Sequence, residues 1–327
     1  MTAESPTREV TARIPCRARA ERENVMTVNS PTIDIVERAK PRVEEEKVRS
    51  TLHFIGKAVA SDVFALTGAG IIALFVICAV FAPLLAPYDP NFSDPVLRLR
   101  GIGTEGHILG LDGQGRDILS RLLYGARYTL FTGITPVVIG AAISIPLGMV
   151  AAYYERGHII MRVMDVFFAF PMVLLAILMS AFLGPSMTNL IAALIVVLIP
   201  YNTRVVFIEA VTQRSQGYVE ASRAAASSDF KILFIEMLPN IVAASVVYST
   251  TVVGTVVITS AGLSFLGLGV QPPTPEWGVM TSEGRSVLPI APHVATIPGL
   301  AITLLVIGFN LLGDSLRDAL DPRTRLK

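Results

Sequence analysis

Tyr218 to Asn240 reads YVEASRAAASSDFKILFIEMLPN, a polar, small-residue stretch held between two long apolar segments. Tyr218 to Ala226 is rich in helix formers, and Glu220 and Arg223 stand three apart, the spacing that lets an acid and a base pair on one helical face. A turn at Ser227-Ser228 follows. Ser228 is a candidate N-cap, and Asp229 puts negative charge on the first turn of a second helix running through Phe230, Leu233 and Met237. Leu238-Pro239 closes the stretch, and Pro239 is expected to kink the chain as it enters the next apolar segment. Two short helices meeting at Ala221, Ser222, Ala224, Ala225, Ala226 and Ser227 make a knob on which another surface can close tightly. A loop of this kind suits a membrane protein with a partner on that side.

Working outward, the 327 residues are 52% hydrophobic and 16% charged, with a mean hydropathy of +0.59. That is too apolar for an ordinary soluble domain. The apolar residues fall into blocks of roughly 20 or more, the length a helix needs to cross about 30 Å of hydrocarbon. Blocks at 63–86, 128–153, 163–183, 190–208, 241–262 and 294–312 predict an all-α integral membrane protein with six transmembrane helices. With the N-terminus inside, 21 of the 27 Lys and Arg fall on the inner side, so both termini are expected to be cytoplasmic. A net charge of +1 provides no basic field for nucleic acid.

Residues 1–57 carry mixed charge and few large apolar side chains, and are expected to be a disordered cytoplasmic tail before a membrane domain at 58–327. Met26 offers an alternative start, so the first 25 residues are expected to be a gene-boundary artefact. With some 60 mostly polar residues ahead of it, the first span reads as an uncleaved anchor. Cys16 and Cys78 fall in different compartments and form no disulfide.

Two loops lie on the outer side of this scheme. In the first, 87–125, the stretch from Gly115 to Arg127 sets Ile118, Leu119, Leu122 and Leu123 against Arg116, Asp117, Arg121 and Arg127, an amphipathic helix suited to the outer interface. Gly110, Gly113 and Gly115 do not make a dinucleotide fingerprint, since Ile118 holds the third glycine's place and no strand precedes. His107, Asp112, Arg116, Asp117 and Arg121 read instead as ion pairs and caps that fix the loop, with contact to a substrate-delivery protein as the alternative. In the second loop, 263–293, three prolines between Pro272 and Pro275 forbid a helix, and Trp277 suits a membrane boundary.

The order Glu220-Ala221-Ser222, then Ala226, Ile232 and Leu238-Pro239, resembles the cytoplasmic EAA loop of bacterial ABC-importer permeases. His107-Ile108-Leu109-Gly110 with Gly115-Arg116-Asp117 and Ser120-Arg121, Gly262 to Pro273, and Phe309 to Arg323 narrow the resemblance to the second permease of the dipeptide, oligopeptide and nickel uptake systems. The resemblance implies a multi-pass subunit of the bacterial inner membrane, paired with a homologous second permease to form the pore. It also implies two cytoplasmic ATPase subunits, docked at Tyr218, Glu220, Ala221, Ser222, Arg223, Ala226, Ser228, Asp229, Leu238 and Pro239, and an extracytoplasmic substrate-binding protein. ATP and magnesium would belong to the ATPases. Two positions depart from the family pattern. Ala226 stands where glycine is usual and Ser222 where alanine is usual, so a right-handed backbone at Ala226 or a slightly altered turn is expected.

No segment fits G-x-x-x-x-G-K-[ST], so the chain has no P-loop, and His53, His107, His158 and His293 lack metal-ligand spacing. Asp165, Arg204 and Glu209 lie inside spans near the inner interface and read as structural pairs. Thr132, Thr135, Ser144, Ser249, Thr250, Thr251, Thr255 and Thr259 provide close packing and a mildly polar pore lining. The competing reading is an ion-coupled secondary transporter, which calls for midplane charges or broken helices in repeated halves; the sequence shows neither. The generic lining leaves peptides, nickel complexes and other small solutes open as cargo.

Overall fold

The structure, a computed structural model, describes residues 62–320; the tail at 1–57, Cys16 and Arg323 lie outside them. Helix α1, Val63–Val80, starts at Asp62, whose carboxylate accepts from the Phe64 N–H. A single residue, Phe81, separates it from the short α2, Ala82–Leu85, with proline in its first turn. Arg127 donates to the carbonyls of Ala79 and Val80, capping the exposed C-terminal end of α1.

Helix α3, Ile118–Tyr153, runs 36 residues, about 54 Å at 1.5 Å per residue. The amphipathic helix expected at 115–127 leads directly into the second span as one element. Asp117 caps α3 and the helix passes without a break through Tyr128 into the span. Three of the four charged residues of that segment, Arg116, Asp117 and Arg121, are buried against protein, while Arg127 is exposed.

The third apolar block does not form one rod. It is split into α4, His158–Phe168, and α5, Met172–Leu183, which meet at 85°. Proline at 171 has no N–H and disfavours helical backbone at the residue before it, so the ladder stops at Ala169-Phe170. Helix α6, Met187–Arg214, begins where the Ser186 hydroxyl accepts from the Asn189 N–H.

The knob contains α7, Gly217–Ala224, and α8, Asp229–Lys231, which continues through a π-helical turn, Ile232–Met237, into α9, Leu238–Phe265. The irregularity falls in the turn upstream of Pro239, which itself sits in the first turn of α9. Helix α10, Trp277–Arg285, occupies the second loop, and α11, His293–Leu320, ends the described chain. Five helical stretches are long and apolar enough to cross a bilayer, and the bent α4–α5 pair makes a sixth if it crosses as one.

Packing is organised by α3, which lies along α6 and against α9; α11 packs on α9, and α1 on α11. The main core gathers Leu130, Val137, Leu194, Val197, Leu198, Val256, Val257, Leu263, Leu305 and Phe309. Trp277 belongs to this core rather than to a membrane boundary. It is fully buried, edge-on to Phe75, and its ring N–H donates to the Leu122 carbonyl at 2.9 Å. Thr132, Ser144 and Thr259 are likewise buried inside the chain, where they pack helices together; Thr255 is exposed.

Where α1 crosses α11 the backbones touch: a methyl group on Gly68 would sit 2.7 Å from the Gly308 carbonyl and 2.8 Å from the Leu312 nitrogen. Helices in lipid associate through such close approaches. Gly68→Val is expected to cost about 2 kcal/mol through overpacking. A lower unfolding temperature in detergent, with α1 more open to proteolysis, is the expected result; an unchanged midpoint would contradict it.

Candidate functional site

Two clusters sit at the two ends of α3. At its C-terminal end, Val219, Ile232, Leu233, Met237 and Ile241 pack with Met149, Ala152 and Tyr153 of α3 and Val206 and Ala210 of α6. The knob is thus anchored by an apolar base and is not a free loop. Arg214 donates to the Ala152 carbonyl at 2.8 Å, tying the end of α6 to the end of α3.

Tyr153 is the polar centre of this base. Its hydroxyl donates to Asp229 Oδ1 at 2.7 Å, and the Arg223 guanidinium lies 4.9 Å from its ring centre. The expected Glu220–Arg223 pair does not form, because Arg223 turns towards the tyrosine face and Glu220 is left exposed. Ser228 caps α8, its oxygen accepting from the Lys231 N–H at 3.4 Å. Tyr218 donates to Gln213 Oε1 at 2.8 Å. Ala221, Ala226, Asp229 and Pro239 are exposed, while Ser222 and Leu238 are half-buried.

Ala226 has φ +54°, so it keeps the left-handed backbone and the right-handed alternative is ruled out. The cause is the helix stop. Ser227 N–H bonds Ser222 O and Ala226 N–H bonds Arg223 O, both at 3.0 Å, the paired bonds of a Schellman C-cap. These bonds satisfy the last carbonyls of α7 and hold alanine in a conformation that glycine adopts without strain.

At the other end of α3, Asp117 caps the helix through a 2.7 Å bond from the Ser120 N–H and lies 2.9 Å from His107 Nδ1. Tyr88 stacks on the His107 ring, centroids 4.6 Å apart. Arg116 bonds Asp112 Oδ2 at 2.6 Å and Glu283 Oε2 at 2.7 Å. Arg121 reaches the same Glu283 oxygen at 3.2 Å and the carbonyls of Pro90 and Pro273 at 3.2 and 3.3 Å. Gly110 and Gly115 both have positive φ, and at Gly115 a side chain would collide with the Asp94 carbonyl. The network locks the 87–117 segment and α10 onto the start of α3.

Residues 144–326 match the family model of the binding-protein-dependent transport system inner membrane component, a range that contains the whole knob. The chain belongs to that family. Residues 61–100 match the N-terminal transmembrane domain of oligopeptide transport permease C. The glutathione transport system permease protein GsiD of Escherichia coli O6:K15:H31 is 44% identical over 289 residues, covering 88% of this chain and 95% of the relative. The GsiD proteins of Shigella boydii serotype 4 and Shigella dysenteriae serotype 1 match to the same extent. Among solved structures, the inward-facing MetNI methionine ABC transporter matches at 20% identity, covering 61% of this chain and 96% of that one, with a TM-score of 0.51. At that identity the likeness concerns the fold alone. The chain is a multi-pass inner-membrane permease subunit of the ABC-importer class.

In this permease the structure brings Arg223 and Asp229 of the knob together around Tyr153, a residue not singled out from the sequence. Glu276 and Glu283 were missed too. Their spacing of seven, two turns on one helical face, and the need of two buried arginines for acceptors were the available signals. Glu276 is fully buried, and its two carboxylate oxygens accept from the Gly278 and Val279 N–H groups at 3.0 Å, capping α10. Burial pushes its carboxyl above the ordinary glutamate range, against the opposing pull of those two backbone donors.

Three outcomes follow for stability. Glu283→Gln removes the carboxylate shared by two buried arginines and should cost about 2–3 kcal/mol, read as a lower unfolding midpoint. Ala226→Gly relieves the left-handed strain and should gain roughly 0.5–1 kcal/mol, the rest being offset by freedom in the unfolded chain; a loss would contradict the assigned backbone. A raised folded pKa favours the protonated form, so the contribution of Glu276 is complete at acid pH and is lost as pH rises through that pKa. Glu276→Gln should therefore gain stability relative to the parent chain as pH is raised from about 4 towards 7, whereas a gap independent of pH would contradict it.

Proposed function

We propose that the chain forms half of the translocation pore of an ATP-driven importer for small peptides. A homologous second permease forms the other half. Two ATPase subunits dock on the 218–240 knob at the cytoplasmic face, where both termini also lie, and a binding protein delivers cargo at the 87–117 and α10 face. ATP and magnesium stay on the ATPases, and this subunit catalyses no reaction. Small peptides of the glutathione type are the cargo that the GsiD relatives suggest.

The observation that carries this reading is the anchoring of an exposed knob to the ends of α3 and α6. The Ala221, Ala224, Ala225 and Ala226 side chains are presented outwards, while Val219, Ile232 and Met237 are buried beneath them. A partner closing on such a surface moves α3 with it, because the Tyr153–Asp229 bond and the apolar base leave little slack. The helix extends about 54 Å to the Arg116–Arg121–Glu283 lock. Motion at the ATPase face is thereby delivered to the delivery face, and nucleotide state biases the pore between two openings.

The bent α4–α5 pair is the one feature that favours an ion-coupled transporter, but among the described residues it occurs once and not in repeated halves. Glu220 is exposed in the first turn of α7, so Glu220→Arg reverses charge at the docking surface without touching the core. Purified in mild detergent, the parent chain should bring down ATPases and a second permease, and the Glu220→Arg chain should lose the ATPases while keeping the permease. A chain that purifies alone and drives uptake from an ion gradient in proteoliposomes would overturn the reading.

A further inference from the structure

Asp165 of α4 and Arg204 of α6 form an ion pair that the docking and delivery clusters do not explain. Arg204 Nη1 lies 3.6 Å from Asp165 Oδ1, and the two side chains are 53% and 59% exposed. Arg204 sits about 15 Å along α6 from its end at Arg214, within a helix apolar enough to span the bilayer. Charges inside a span, even near its inner end, face protein or water rather than lipid tails.

A second, independent observation falls at the same place. The chain breaks between α4 and α5 at Ala169–Pro171, and Phe170 is 48% exposed. Non-helical backbone at membrane depth is tolerated only where protein covers it or where it lines a water-filled cavity. An aromatic ledge joins the two features: Arg204 lies 5.0 Å from the Phe168 ring centre, and Phe168 meets Tyr201 edge-on at 4.8 Å.

We propose that Asp165 and Arg204, carried on the Phe168–Tyr201 ledge, form a site on the translocation path that reads the charged ends of a zwitterionic peptide. The existing pair is loose and single. A guanidinium has five N–H donors and a carboxylate two acceptor oxygens, so most of their capacity is open. A peptide carboxylate takes Arg204, an ammonium takes Asp165, and the ledge carries the apolar atoms between them. The assignment rests on the peptide-importer reading above.

Cells relying on this transporter are given labelled glutathione or labelled trialanine. No uptake of either by the parent chain would overturn the importer reading and this site together. If uptake occurs, the neutral double variant Asp165→Asn with Arg204→Gln decides between roles. A purely structural pair tolerates removal of both charges, whereas a reading site loses its contacts, and uptake should fall about tenfold with the ATPases still co-purifying. Parental uptake by the assembled double variant would overturn the site.

A second measurement does not depend on that variant folding. Phe170→Cys, with Cys16 and Cys78 replaced by serine, is placed in the complete transporter in lipid nanodiscs and treated with a charged, water-soluble thiosulfonate. Labelling that slows when either peptide is being transported is expected. A thiol that never reacts, or whose labelling ignores the peptides, would overturn the proposal.

Discussion

Hydrocarbon supplies no hydrogen-bond partner, so every backbone N–H and C=O that lies in the bilayer must be bonded within protein or beside enclosed water. The long apolar helices of the described chain follow from that, and several helix ends are closed by side-chain or turn bonds. The stop after α7 is closed by the Schellman bonds at Ala226 and Ser227. The start of α10 is closed by Glu276, and that of α3 by Asp117. The break between α4 and α5 is exposed on this chain at Phe170 and lies close to the loosely paired Asp165 and Arg204.

Around this constraint α3 acts as the frame. Its N-terminal end is fixed by a buried network in which two arginines share Glu283, and its C-terminal end by Tyr153, Arg214 and the apolar base of the knob. Buried ion pairs contribute little net stability, since desolvation offsets attraction. What they provide at the 87–117 face is register: a segment of irregular backbone is held to one helix by bonds with defined geometry. Register is thereby fixed at both ends of the connecting helix α3.

Much of this was open to the sequence. Five of the six apolar blocks each hold one helix long and apolar enough to cross a bilayer, and the bent α4–α5 pair covers the sixth. The range matched by the transport-component model, 144–326, contains the 218–240 stretch from which the resemblance is read. Misreadings arose where a residue's partner lies far along the chain. Trp277 looked like a boundary aromatic because Phe75 and Leu122, its partners, are remote in sequence. Arg223 looked like the partner of Glu220 because local spacing cannot show Tyr153. Ala226 was expected to avoid positive φ on intrinsic grounds, yet the helix stop requires it.

Hydropathy, helix signals and the order of small and charged residues in Tyr218–Asn240 determined the membrane fold, the number of apolar blocks and the family, because each is a property of short windows of chain. Tertiary structure alone decided that the outer segment is locked by Glu283, that the third block bends by 85°, and that Asp165 meets Arg204. The physical reason is one of range. Burial and hydrogen bonding within a helix act over a few residues, while the pairing of charges and the meeting of helix faces depend on segments that only folding brings together.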